Sequence, residues 1–112
     1  MRPAARRPPP PRAFRLVIDR RIPVCIVRGD YSIATMDSWL LVGQNDRALD
    51  QMKIDAIAWQ IRSTGKVPGT FGLGTFGGKT YLLDGRHRRE AVRQSGRGAV
   101  HAVIAWVMCK PG

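Results

Sequence analysis

Apolar residues change their period several times along the chain, and each change predicts an element. Two β-rich runs come first, Phe14 to Ile18 and Ile22 to Val27, separated by a polar break. Pro23 cannot donate to a ladder, so the second run is expected to begin as an edge. From Gly29 to Asn45 no period holds, and "WLLV" at Trp39 to Val42 reads equally as a short strand or a buried turn. The pattern then turns helical in "LDQMKIDAIAWQIRSTG", where Ile54, Ile57, Ala58 and Ile61 recur at i, i+3, i+4 and i+7 and predict one buried stripe. Asp50 can cap the start, Leu49 and Ile54 have the spacing of a hydrophobic staple, and Gly65 stands where a left-handed C-cap belongs. Trp59 falls off the stripe; packing against a neighbouring loop and a ligand-stacking role both remain open for it.

Glycines punctuate the next segment, "KVPGTFGLGTFGGKTYLLD", which reads as strands from about Thr70 to Thr75 and Thr80 to Asp84 joined by a tight turn at Gly77-Gly78. These glycines do not make a dinucleotide-binding fingerprint, because "GLGTFGG" runs into another strand where that motif opens a helix. After Gly85, "RHRREAVRQSG" predicts a second helix ending at Gly96, and "AVHAVIAWVM" from Ala99 to Met108 has the β-branched content of a buried strand. The order β β, an undecided segment, α β β α β predicts an α/β (α+β) domain with a small mixed sheet.

At 112 residues and 44% hydrophobic content, the chain suits one core and is too short for two. Residues 1 to 12, "MRPAARRPPPPR", have almost nothing to bury and are expected to form a disordered or polyproline-type basic arm ahead of a single domain over 13 to 112. The formal net charge of +11 points to polyanions, meaning nucleic acid, phosphorylated ligands or anionic lipid. Lipid is the weakest of these, since no apolar run approaches a membrane span and no basic amphipathic helix has an aromatic face. Charge at the N-terminus without an apolar run behind it is not a secretory signal, so a cytoplasmic protein is expected. Cys25 and Cys109 stand far apart in apolar surroundings and predict two buried free thiols. With His87 and His101 as the only histidines, no zinc-type metal site is expected.

Positive charge is densest where the hairpin meets the last helix. Arg86, His87 and Arg88 fill a first turn directly behind Gly85, although cations there oppose the helix dipole by a few tenths of a kcal/mol each, on the order of the values for exposed sites. A helix start presents unpaired N–H groups and partial positive charge, so an anion in the site would account for the cluster. The plainer alternative is a solvated basic face, with Glu90 pairing Arg86, Arg93 or Arg97.

"DGRHRREA" at 84 to 91 resembles the signature turn of the ParB/sulfiredoxin superfamily, matching in spacing the G-E-R-R-x-R-A box of partition proteins and the G-C-H-R-x-E-A turn of sulfiredoxins. "IPVCIVR", "KIDAIAWQIRSTG", "TFGGKTYLLDG" and "GRGAVHAVIAWV" are similar, in order, to the family's early strand, helix, hairpin and following strand. The resemblance spans about residues 14 to 108. It implies a compact ParB/sulfiredoxin-like fold with a phosphate-facing helix N-terminus, at which Gly85, Arg86, His87 and Arg88 bind phosphate or nucleotide. It also implies a nucleoside triphosphate, CTP or ATP, and Mg2+ as ligands. Arg86, however, stands where partition proteins have a glutamate and sulfiredoxins their catalytic cysteine. Sulfinic-acid repair therefore lacks its nucleophile, and metal-assisted nucleotide switching is put in doubt. The box that partition proteins place before the helix is missing, and operator reading by a helix-turn-helix is not expected.

Three functions follow as expectations. The first is a DNA-associated domain that binds nucleotide or nucleic-acid phosphate at Gly85 to Arg88, with Arg2, Arg6, Arg7, Arg12, Arg89 and Arg93 touching nucleic acid. The second is a nuclease or nucleotide hydrolase with His87 as catalytic acid or base and Arg88 stabilising phosphate charge. The third is a small interaction or inhibitor protein of mobile elements, with a protein partner, that uses the fold as a surface.

Overall fold

The computed structural model describes residues 16–18, 25–42 and 48–111. The arm over 1 to 12, the start of the first run at Phe14, Ile22 and Pro23, Asn45 and the Cys109 side chain lie outside the described residues. Among the described residues six strands and three helices follow in the order β1 (Leu16–Ile18), β2 (Cys25–Ser32), α1 (Ile33–Asp37), β3 (Leu40–Leu41), α2 (Gln51–Thr64), β4 (Lys66–Phe76), β5 (Lys79–Asp84), α3 (Arg86–Ser95) and β6 (Ala99–Pro111).

The sheet is mixed, in the order β1-β6-β4-β5-β3, with β2 also pairing β6. β4 runs parallel to β6 and antiparallel to β5, while the two-residue β3 runs parallel to β5. On its other side β6 takes two antiparallel partners end to end, β2 along Ala99 to Trp106 and β1 along Cys109 to Pro111. The mixed sheet expected from the sequence is therefore present, and the hairpin turns at Gly77-Gly78 between the paired Phe76 and Lys79.

All three helices pack on one face of the sheet. Met36 of α1, Ile54, Ala58 and Ile61 of α2, and Ala91 and Val92 of α3 close over Phe71, Leu73, Leu82, Val100, Ala102 and Ile104. Ile57, the remaining residue of the α2 stripe, packs against the rim of that core. Trp39 is buried beside Phe71, with ring centroids 5.3 Å apart in an edge-to-face arrangement. A smaller cluster, Val42 and Tyr81 with Phe76 and Leu83, lies apart from this core. The helix ends are as the residue types require. Asp50 accepts from the Met52 N–H at 3.0 Å, and the Gly65 N–H closes on the Ile61 carbonyl at 2.7 Å. Leu49 stays 38% exposed, so the staple expected from it contributes little.

Two expectations need correction. The second strand does not stop at Val27 but continues to Ser32, where the Ser32 hydroxyl caps α1 by accepting from the Thr35 N–H at 3.1 Å. Cys25 is exposed rather than buried, because β2 lies outermost and its first four residues are open to solvent. Trp59 is 64% exposed on α2. At "WLLV" both alternatives hold in part: Leu40 and Leu41 form β3 while Trp39 and Val42 on either side are buried.

Candidate anion site at the start of α3

Helix α3 begins where β5 delivers the chain to Gly85, its N-cap, which supplies no side-chain cap to the first turn. Gly85 has φ 119°, and a Cβ there would sit 2.5 Å from Cδ1 of the fully buried Phe71. The glycine is thus demanded by the core beneath it and by its backbone conformation, whatever approaches from outside. Arg86, His87 and Arg88 are half-buried, and the turn they form holds no acid. With no side-chain acceptor from the cap and cations on its first residues, this helix end concentrates positive potential.

The side chains of the cluster then diverge. His87 Nε2 accepts the Asp50 backbone N–H at 2.9 Å, which places the ring proton on Nδ1 and ties the start of α3 to the cap of α2. Arg88 donates from Nε to the Pro68 carbonyl at 2.9 Å, and its Nη1 lies 4.0 Å from the exposed Asp84 carboxylate, a weak pair in water. Its guanidinium lies across Gly69, so closely that a Cβ at 69 would stand 2.6 Å from Nη2. Gly69 has φ 77° at an irregularity in the pairing of β4 with β6 between Lys66 and Thr70. The strand is bare there, and Arg88 occupies the space a side chain would take.

Beside Arg88 opens a groove of about 300 Å³, lined by Ala56, Ile57 and Gln60 of α2 and by Pro68 and Gly69 of β4. Its volume is at the lower end of small-ligand sites. Small residues at 56 and 69 keep it open, and Arg88 joins it to the first turn of α3. Sequence reasoning missed this groove. Its one signal was the Pro68-Gly69 pair just after the end of α2, where a strand with a flat run of side chains would have filled the space.

Of the other basic residues, Arg89 turns inward. Its Nη1 donates to the Met36 and Trp39 carbonyls, both at 2.9 Å, and burial lowers its pKa. Arg93 makes a two-bond contact with Asp37 at 2.7 Å each and a third with Glu90 at 3.1 Å. Arg97 Nη2 donates to the Arg62 carbonyl at 3.0 Å. Glu90 accordingly pairs with Arg93, one of the three partners its spacing allowed. Gly85, Arg86, His87 and Arg88 thus share the start of α3, with the His87 and Arg88 side chains parting toward Asp50 and Pro68, and Arg89 and Arg93 turn toward α1. Arg2, Arg6, Arg7 and Arg12 lie outside the described residues.

Position 86 holds no thiol. Cys25 pairs with Trp106, Trp106 with Leu73 and Leu73 with Leu82, which puts it three strands from β5, about 14 Å at the usual strand spacing. Among the described residues no group of three or more His, Cys, Asp or Glu side chains could hold a metal ion, and no helix is long and apolar enough to cross a membrane.

No protein-family model matches the chain, and no curated protein does. Among solved structures it is similar to the crystal structure of sulfiredoxin from Arabidopsis thaliana, with a TM-score of 0.55 and 20% identity, over 73% of this chain and 88% of that one. At that identity the likeness is one of fold: the chain has a sulfiredoxin-like fold, as the resemblance of the box at 84 to 91 implied.

Proposed function

We propose that this sulfiredoxin-fold domain binds phosphate, carried by a nucleotide or by a nucleic-acid backbone, at the N-terminus of α3. The observation that carries the reading is a ten-residue helix with a glycine N-cap, no side-chain cap, no acid in its first turn and Arg86, His87 and Arg88 on it. An anion held there meets backbone N–H groups, the positive end of the helix and guanidinium donors together. The groove beside Arg88 supports the same reading, since it offers room for the rest of a ligand whose phosphate lies on the helix. The net charge of +11 favours the encounter with any polyanion.

A hydrolytic role at the same site, with His87 as acid or base, draws less support. Its Nε2 already accepts the Asp50 N–H, so the lone pair an acid or base would use there is engaged within the fold.

The test is a titration of ATP, CTP, GTP and ADP, with and without Mg2+, at near-physiological salt, on the wild type and Arg88→Ala. Binding should saturate in the wild type and weaken by about tenfold or more in the variant, the scale of one charge-assisted hydrogen bond. Circular dichroism of the variant checks that the loss of the Pro68 contact leaves the fold in place. Equal binding by the two proteins, or none by either, would remove the phosphate site.

A further inference from the structure

We infer that the ligand of this site is single-stranded nucleic acid, with an unpaired base stacked on Trp59; the inference rests on the phosphate site proposed above. Trp59 is 64% exposed, and Met52, two turns earlier, is 82% exposed. Met52, Ala56 and Trp59 stand at i, i+4 and i+7 and share one face of α2. Ala56 belongs to that face and also lines the groove; Gln60, the residue after Trp59, lines the groove from the adjoining face. Trp59 itself does not line the groove, but along α2 it stands next to Gln60 and one turn from Ala56, two residues of the wall that faces Pro68, Gly69 and Arg88.

An indole is the largest apolar body a side chain offers, and folding has every incentive to bury it. Trp39 of this chain is buried. At Trp59 the ring instead stands in water on the helix that forms one wall of the groove, with Arg88 in the groove lining and Lys53 and Arg62 exposed on the same helix. Asp55, the acid on this side of α2, is held by Gln51 at 2.7 Å. Aromatic platforms beside basic grooves are how proteins hold single strands, the ring taking a base and the cations following the phosphates. The charge complementarity decides the class of partner: a chain at +11 repels its own copies and attracts a polyanion. The exposed ring decides the form of that polyanion, because a duplex keeps the faces of its bases inside its own stack and leaves an indole nothing to cover.

The experiment uses the full chain with Trp59→Ala, Trp59→Phe and Arg88→Ala. Each protein is titrated with a fluorescein-labelled single-stranded oligonucleotide, with the same sequence as a duplex, and with inorganic tripolyphosphate, which carries charge but no base. The single strand should bind more tightly than the duplex and quench the emission of the exposed indole. Trp59→Ala should weaken single-strand binding by about tenfold, leave tripolyphosphate binding unchanged, and be largely rescued by Phe. Wild-type single-strand affinity in Trp59→Ala, or a duplex that competes as well as the single strand, overturns the inference and leaves the phosphate site standing. Arg88→Ala with unchanged binding to both strand and tripolyphosphate removes the phosphate site instead, and with it this placement of the strand.

Discussion

Gly85 shows how one residue can serve packing at a place where sequence suggests a ligand. Its φ of 119° is unfavourable for any residue with a Cβ, and Phe71, wholly buried, leaves no room for one. Gly85→Ala should therefore lower stability by about 2 to 5 kcal/mol, the sum of a left-handed backbone and an overpacked core. Urea denaturation of the variant measures it, and a loss under about 1 kcal/mol would mean that Phe71 can move aside at little cost. The cluster from Gly85 to Arg88 was legible in the sequence because its residues are consecutive. The partners were not. His87 meets a backbone N–H 37 positions away, and Arg89 meets carbonyls at Met36 and Trp39, contacts that no local pattern encodes.

Among the elements, α2, α3 and the β4-β5 hairpin were readable because each repeats a period and carries its own stop. Helix α1 was not, since five residues give no period and its anchorage comes from elsewhere. Arg89 satisfies carbonyls at and just beyond its C-terminal end, and Arg93 grips Asp37. The hydrogen bonds from Arg93 hold the Asp37 carboxyl below its ordinary range. For Glu90, burial pushes the pKa up, but the bonds from Gln94 and Arg93 outweigh it. Both acids bind protons less readily folded than unfolded, so their contribution is present above the unfolded values, about 4, and disappears as pH falls through the lower folded ones. Asp37→Asn should cost about 0.5 kcal/mol at pH 7, a small figure because Arg93 and Asp37 are 44% and 42% exposed. Compared with wild type at pH 3, the difference should shrink; a gap that stays constant between the two pH values would show that the pair does not act through charge.

For the whole molecule, charge and topology carry separate consequences. The arm over residues 1 to 12 holds four of the arginines and no acid, leaving +7 of the +11 on the rest. Its deletion should weaken oligonucleotide binding and reduce the slope of log affinity against log salt by about 3, at roughly 0.7 per phosphate contact on a single strand. Tripolyphosphate binding should hardly change, and an unaltered slope would exclude the arm from the interface. The sequence foretold a mixed sheet but not its order, since apolar strands say that they are buried and not beside whom. That order puts β6 at the seam, parallel to β4 on one side and antiparallel to β2 and β1 on the other. As the chain emerges, α2 and the β4-β5 hairpin can form early, yet Phe71, Leu73 and Leu82 have no strand to complete their floor until residues 99 to 106 arrive. Such distant pairings slow folding and leave apolar surface open to other chains in the interval. The molecule's vulnerable moment thus belongs to its birth: a newly made copy, with its sheet still in two pieces, is the form most in need of dilution or a chaperone.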